Sequence, residues 1–546
     1  MAMDSEYPPL PSTEAIAASF QQFAISDGRG VANSLLSGPR PVPTSVAERL
    51  NGGGHSRPQM TTRVIANSGD IFLEYESFTG TNGHASHRWR LDSESLMQSS
   101  PYFRALLDPN KFSEGRHLMR QRELYSHDLL DSWKHGEKFD YSDHAHVQDY
   151  ALPTIRLPNN HLSYSSGLDT IELFLRILSY HSFNEEEQES FNTEIRGQRP
   201  SSIAKLIELA DAYNSTQAVY DTLKRCNYTL GRPKLPLTRF TSSVLRLNEE
   251  RIRQSTFIAS FVNDRTILQI LTHALIVSGS KLWASGIEGP DPDTPKWQYL
   301  PDGLEEELYY RRQCVLNTVT DLQAHFLRVF GAVEEPTVPT KPSIPSQQTK
   351  SYQCRCGLGN SSACDAFHLG QMTRFFALRT KTIFLGSTLI DPDFNPDMDE
   401  NEDSAVAEAL SDRSLPPTDI TALISSLKQC PDYQIDSNHT ACGIRRRFLP
   451  SLDCIEGFVG DERGLLGVNM RYWRRGASPP NGSSGPWPQI HGSWANRAHR
   501  RALAIDVRLS KISGVPNMSR GMPVAEFREE DARLLFTAKK RNWEAS

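Results

Sequence analysis

Between Gly69 and Phe112 the chain switches between two hydrophobic periods, and the switches mark its elements. Ile71, Leu73 and Tyr75 alternate with Asp70, Phe72 and Glu74, which predicts a strand with one face packed better than the other. A polar Gly/Thr/Asn loop from Thr79 to Ser86 turns the chain, and Trp89 and Leu91 alternate on a returning strand. Ser99 or Ser100 then offers an N-cap with Pro101 in the first turn, and Phe103, Leu106 and Leu107 share a helical face. Further on, the stretch from Pro153 to Pro158 reads as a short third strand. Leu168, Ile171, Phe174, Leu175 and Leu178 form an apolar stripe at helical spacing. After an acidic loop from Glu185 to Glu189, two more stripes follow: Ile203, Leu206, Ile207, Ala210 and Tyr213, then Val219, Leu223, Cys226 and Leu230. Residues 240–334 read as all-helical and end on a long stripe through Leu304, Leu308, Val315, Val319, Leu322, Phe326 and Val329.

The order and spacing of these elements resemble a BTB/POZ domain in the divergent form common in fungal proteins. Such domains open with Asp-x-x-Leu on a strand, matched by Asp70-Ile71-Phe72-Leu73. An aromatic-x-Leu pair and a leucine before a Ser-Pro-Tyr-Phe helix follow, matched by Trp89-Arg90-Leu91, Leu96 and Ser100-Pro101-Tyr102-Phe103. Leu209-Ala210-Asp211-Ala212-Tyr213 matches a family segment except at its Lys. The resemblance spans about 66–231 and implies an α+β fold in which a small sheet is covered by clustered helices. It also implies an interaction module, an adaptor or scaffold for other proteins, with a cullin-type scaffold or a second copy as partner. Many members place His followed by Lys or Arg before the first-helix leucine. Ser93-Glu94 stands there instead, so the charged pocket of the family's dimer interface lacks its basic member. Tyr102 and Arg104 are the candidate contact residues.

Residues 1–65, rich in Pro, Ser and Gly, read as a disordered arm. About 113–151 reads as a charged, His-rich insertion, a solvated loop in which His144-x-His146 is incidental. A helical region follows at 238–334, a stiff Pro-rich linker at 335–350 and a Cys-containing region at 351–475 with an acidic loop at about 391–418. The last segment, 476–546, reads as a loop-rich tail with a short C-terminal helix. Residues 351 onward resemble the tail that accompanies BTB domains in some fungal proteins.

Composition narrows the function classes. The 65 acids against 59 bases leave a net charge of −6, which gives no bulk attraction to nucleic acid or anionic lipid. The N-terminus lacks a basic region followed by an apolar one, and Ile267 to Val277 is too short to span a bilayer. The eight scattered cysteines do not form a disulfide scaffold, so the expected setting is reducing, cytoplasmic or nuclear.

Cys354-x-Cys356 and Cys364, with Cys430, His439, Cys442 and Cys454 downstream, are the strongest ligand-like group, because thiolates and imidazoles suit zinc. The paired C-x-x-C of zinc ribbons is missing, so the expected reading is structural cysteines with no metal and no cofactor. Asp391-x-Asp393-x-Asn395-x-Asp397 imitates a calcium loop, but Pro396 occupies the position that needs Gly. Gly357-x-Gly359 lacks a third glycine and a preceding buried strand. Arg471-Tyr-Trp-Arg-Arg475, Trp487, Trp494 and Arg497 to Arg501 interleave bases and aromatics, yet a loop-rich surface with packed tryptophans is preferred over a nucleic-acid site. No motif selects a nucleophile, and no catalytic residue is expected. The expected function is therefore an intracellular interaction adaptor. Its rivals are a zinc-binding regulatory protein using the C-terminal cysteines and an enzyme without a recognisable motif.

Overall fold

A computed structural model describes residues 60–79, 83–135, 152–157, 167–230, 237–283 and 294–331. It also describes most of 352–382 and 419–469, then Trp494, 506–508, 528–538 and 540–543. The fold is mixed α and β, mostly helical, with a small four-stranded mixed sheet. Strands β2 (Ile71–Thr79) and β3 (Gly83–Leu91) pair antiparallel, with Ile71 opposite Leu91 and Leu73 opposite Trp89. Strand β4 (Thr154–Arg156) joins β2 in parallel, with Leu73 beside Ile155. The alternation seen in the sequence is the cause: Ile71, Leu73, Trp89, Leu91 and Ile155 are all buried.

Three features of the sheet differ from expectation. Strand β1 (Met60–Val64) lies in the stretch assigned to the arm and pairs in parallel with β3, so the sheet order is β1-β3-β2-β4. Its β-branched Thr61, Thr62 and Val64 suit a strand, and the Pro/Gly-rich residues before it hide the boundary. The returning strand starts at Gly83, inside the supposed loop. Phe72, on the opposite face from Ile71, is buried as well, and buried Glu74 accepts a 2.6 Å hydrogen bond from the Ser86 hydroxyl.

Helices α1 (Ser93–Ser99) and α2 (Pro101–Leu106) follow the hairpin. Asp92 caps the first; Ser100 caps the second, with Pro101 at the first position, where its missing N–H has no helical partner to lose. Helix α3 (Ser113–His135) replaces the expected loop. Arg122 of α3 pairs with Asp70 and donates to the Ser93 hydroxyl at 2.9 Å, so the helix is tied to the head of the sheet.

Helices α4 (Leu168–Leu178), α6 (Pro200–Ala212) and α7 (Thr216–Arg225) are those the stripes predict. Between them, the expected acidic loop is helix α5 (Glu185–Gly197). Tyr213 is the common seat of this half. Its ring lies 6.0 Å from Phe103, 5.7 Å from Phe174 and 5.0 Å from Tyr102.

The helical region holds α8 (Ser242–Leu245), α9 (Glu249–Phe261), α10 (Arg265–Ser278) and the long α11 (Leu304–Gly331). Helix α9 packs on α6 and α10. The C-terminal part is more helical than its composition suggests: α12 (Ser361–Arg374) runs into a π turn, followed by α13 (Ile420–Lys428), α14 (Arg445–Val459) and α15 (Glu529–Thr537). A short pair, β5 (Asp506–Arg508) and β6 (Lys540–Asn542), lies near α15 in sequence.

One continuous apolar core runs from the sheet through these helices to Trp543. Among the described residues a separate, very small cluster consists of Cys354, Cys364 and Cys442, with Cys356 and Ile435 against it. Among the described residues no helix is long and apolar enough to cross a membrane.

Candidate functional site

The small cluster is where chemistry-bearing side chains concentrate. Its first piece is the Cys354-x-Cys356 arm, which has no regular structure and is fixed from both sides. Asp365, buried in the first turns of α12, accepts hydrogen bonds from the backbone N–H of Gln353 (2.8 Å) and Cys354 (3.0 Å). From α14, Arg447 donates to the Gln353 side chain at 2.6 Å and to its carbonyl at 3.3 Å. The second piece is α12 itself, which places buried Cys364 beside Asp365.

The third piece is a 3-10 turn over Ser437–His439, opened by Asp436, whose carboxylate accepts from the Asn438 N–H at 2.7 Å. Cys442 follows it, its N–H donating to the His439 carbonyl at 3.1 Å. At Gly443 an added Cβ would meet the Asp432 carboxylate, so a larger residue there would push that exposed side chain aside as the chain turns into α14.

These pieces bring the thiols together. Cys356 Sγ lies 3.4 Å from Cys442 Sγ, and Cys442 Sγ lies 3.6 Å from Cys354 Sγ. The sulfurs of Cys354, Cys364 and Cys442 are within 4.8 Å of one another, as are the donor atoms of Cys354, Cys356 and His439. All are free thiols. The His439 ring is fully buried, with Nδ1 2.9 Å from Asp436 Oδ1 and Nε2 3.1 Å from Asn360 Oδ1.

The thiols titrate unequally. Burial pushes Cys354 up, but the Cys356 backbone, the Ser361 hydroxyl and the Cys442 and Cys364 thiols hydrogen-bond to it and hold it down at about 7. The Cys442 thiol, then burial, push Cys356 up to about 12; burial and the Cys354 thiol push Cys364 up to about 11. The Asp436 carboxylate holds His439 above its ordinary value. The arrangement therefore favours one thiolate with protonated neighbours, and a soft cation would favour releasing the remaining protons.

Cys430 and Cys454, grouped with these in the sequence, lie instead in the main core, where burial pushes their thiols up to about 11 and 12. Sequence reasoning missed Asp365, Asn360 and Asp436, whose roles depend on pairings between distant segments. It also missed His368, one turn after Cys364 and fully buried against the Phe330 ring. Among the described residues neither of its ring nitrogens has a hydrogen-bond partner.

The two expected contact residues sit on α2. Tyr102 is half-buried against Phe103 and Tyr213. Arg104 is exposed, but its guanidinium donates to the Met97 carbonyl at 2.9 Å and the Gln98 carbonyl at 3.3 Å, capping α1. His144, His146, Gly357, Gly359, the Asp391–Asp397 stretch, the basic–aromatic residues 471–475, Trp487 and residues 497–501 lie outside the described residues. So do residues 1–59 and 335–350. Trp494 is buried; its ring stacks on Phe536, with Arg311 over it at 4.8 Å. No protein-family model, no curated protein and no solved structure matches the chain.

Proposed function

We propose that the chain is a protein-interaction adaptor or scaffold built on a BTB/POZ-like domain. The observation that carries this reading is one of order. After an edge strand, an antiparallel strand pair is followed by two short helices and, past the added helix α3, by a strand in parallel to the first of the pair and then a cluster of helices. That is the sequence of elements which the resemblance at Asp70, Leu73, Trp89 and Ser100–Phe103 implies. The departure at Ser93-Glu94 fits the same reading in altered form. Asp70 accepts from the Ser93 N–H and hydroxyl, both at 2.8 Å, and Arg122 from helix α3 supplies the positive charge.

The adaptor works by surface complementarity, with the α1–α2 face and the outer side of α7 offered to a partner helix or a second copy, while α6 is covered by α9. Affinity capture with the full chain, repeated with Arg104→Glu, tests this. A stoichiometric protein partner or a self-associated chain, weakened by the substitution, supports it. A chain that stays monomeric and recovers no more than an unrelated bait overturns it.

A further inference from the structure

The sulfurs of Cys354, Cys364 and Cys442 lie within 4.8 Å of one another and Cys356 Sγ stands 3.4 Å from Cys442 Sγ, and we infer that these four thiols bind one zinc ion. A zinc ion with Zn–S bonds of about 2.3 Å holds its sulfurs about 3.8 Å apart. The Cys356–Cys442 and Cys442–Cys354 separations of 3.4 and 3.6 Å lie near that edge. They are far from the bond length of about 2.05 Å that a disulfide requires.

Packing alone does not explain the convergence. The cysteine cluster is separate from the main core, and among the described residues Ile435 is its one apolar companion beyond the sulfurs themselves. Burial that small is a weak anchor for an irregular arm and a single 3-10 turn, and a metal crosslink is what such segments use in its place.

The surroundings are also those of a ligand shell. Asp365 holds the backbone at Cys354, and Arg447 holds the residue before it. Asp436 and Asn360 engage both nitrogens of His439. His439 has its donor atom within 4.8 Å of the Cys354 and Cys356 sulfurs and hydrogen-bonds the Cys354 thiol, and with its ring held by Asp436 and Asn360 it is assigned as a positioning residue beside the four thiols. Four soft ligands closing a tetrahedron, with no position left for water, are the donor set of a structural zinc site. Loading breaks the S–H bonds, forms the Zn–S bonds and releases the protons to solvent, with no change of oxidation state. The inference is independent of the adaptor reading.

Elemental analysis of the full chain, purified without chelator, reads the site directly. One zinc per chain is expected, and cobalt replacement should give the visible absorption of tetrahedral thiolate coordination. Cys356→Ser and Cys442→Ser should each lower zinc affinity by at least about 10-fold, whereas Cys356→His, which keeps a zinc donor, should retain the metal. Cys314→Ala, outside the cluster, should leave the zinc content unchanged. Asp436→Ala should weaken binding about 10- to 100-fold through loss of His439 positioning. A wild-type chain without stoichiometric metal, a chain carrying iron in place of zinc, or a Cys356–Cys442 disulfide would each overturn the assignment. So would full zinc retention in both serine variants.

Discussion

Cys356 Sγ stands 3.4 Å from Cys442 Sγ although 86 residues separate the two in the chain. The contact closes the Cys354-x-Cys356 arm onto the turn that leads into α14, and among the described residues Ile435 is the apolar side chain packed beside those sulfurs. Chelation should therefore loosen the seam and leave the main core folded. Hydrogen exchange is expected to accelerate in peptides covering 352–365 and 436–444 on adding a zinc chelator, with α11 unchanged. Equal acceleration in α11 would show that the cluster supports the whole fold, and no acceleration anywhere would count against the zinc.

Arg253 and Glu305 make a deeply buried ion pair in the helical region, both nearly inaccessible. Glu305 accepts two 2.8 Å bonds from the guanidinium and one of 2.6 Å from Trp283 Nε1, while Arg253 also reaches Ser280 and the Gln298 carbonyl. Arg253 Nε also donates to Glu249 at 2.8 Å. Glu305→Ala therefore leaves the buried cation with one of its two carboxylates and should cost about 3 kcal/mol by urea unfolding. Replacing both residues, as Arg253→Met with Glu305→Leu, should cost clearly less, because the two buried charges are gone and the remaining Glu249 is partly exposed. Equal losses would mean that Glu249 alone keeps Arg253 paired.

Asn184 and Glu187 form a reciprocal capping box at the start of α5. The Asn184 side chain accepts from the Glu187 N–H at 2.8 Å, and Glu187 accepts from the Asn184 N–H at 3.0 Å. Asn184→Ala should lower stability by about 1 kcal/mol and fray the first turn. Thermal melts and amide exchange over 184–190 measure both effects; unchanged protection there would mean that packing of Phe191 and Ile195 alone starts the helix.

That capping box also shows where the sequence could be read and where it misled. Asn184-x-x-Glu187 has the spacing of a capping box, but in sequence the glutamate run from Glu185 to Glu189 reads as an acidic loop and hides it. The helical stripes at Leu168–Leu178, Ile203–Tyr213 and Leu304–Val329 were legible because each buries a repeating apolar face. The alternation at Ile71–Tyr75 and Trp89–Leu91 was legible for the same reason. Helix α3 was not, since few of its residues are apolar and its anchor is the distant pair Asp70–Arg122. At the thiol cluster the residue types and their grouping across the chain were visible from the start. Which members meet was not, because the contacts form across more than eighty residues, the spacing imitates no paired motif, and Cys430 and Cys454 of the same group go to the main core.

His273 joins α10 to the loop after α14, and its protonation should make the fold sensitive to mild acid. The ring is fully buried. Its Nε2–H donates to the Val459 carbonyl at 2.9 Å, and its Nδ1 accepts from the Leu466 N–H at 3.1 Å, so the neutral form fits both partners. Burial lowers its pKa to about 4, against weaker upward pulls from the Val459 carbonyl and Asp461. In the unfolded chain the same group titrates near 6.5. Above about pH 6.5 neither state binds the proton and the stabilisation is complete. Between about 6.5 and 4 the unfolded chain takes up a proton that the native state refuses, so stability falls with falling pH, by about 3 kcal/mol in all. Below about 4 both states are protonated and this contribution stops changing. Urea unfolding at pH 7, 6 and 5 should show the decline, and His273→Gln, which lacks a titrating ring, should flatten it whatever its absolute stability. Gly467 lies on the same seam, where an added Cβ would overlap the Gln269 carbonyl. Gly467→Ala should therefore destabilise the seam without altering the pH slope, which separates a packing defect from a titration.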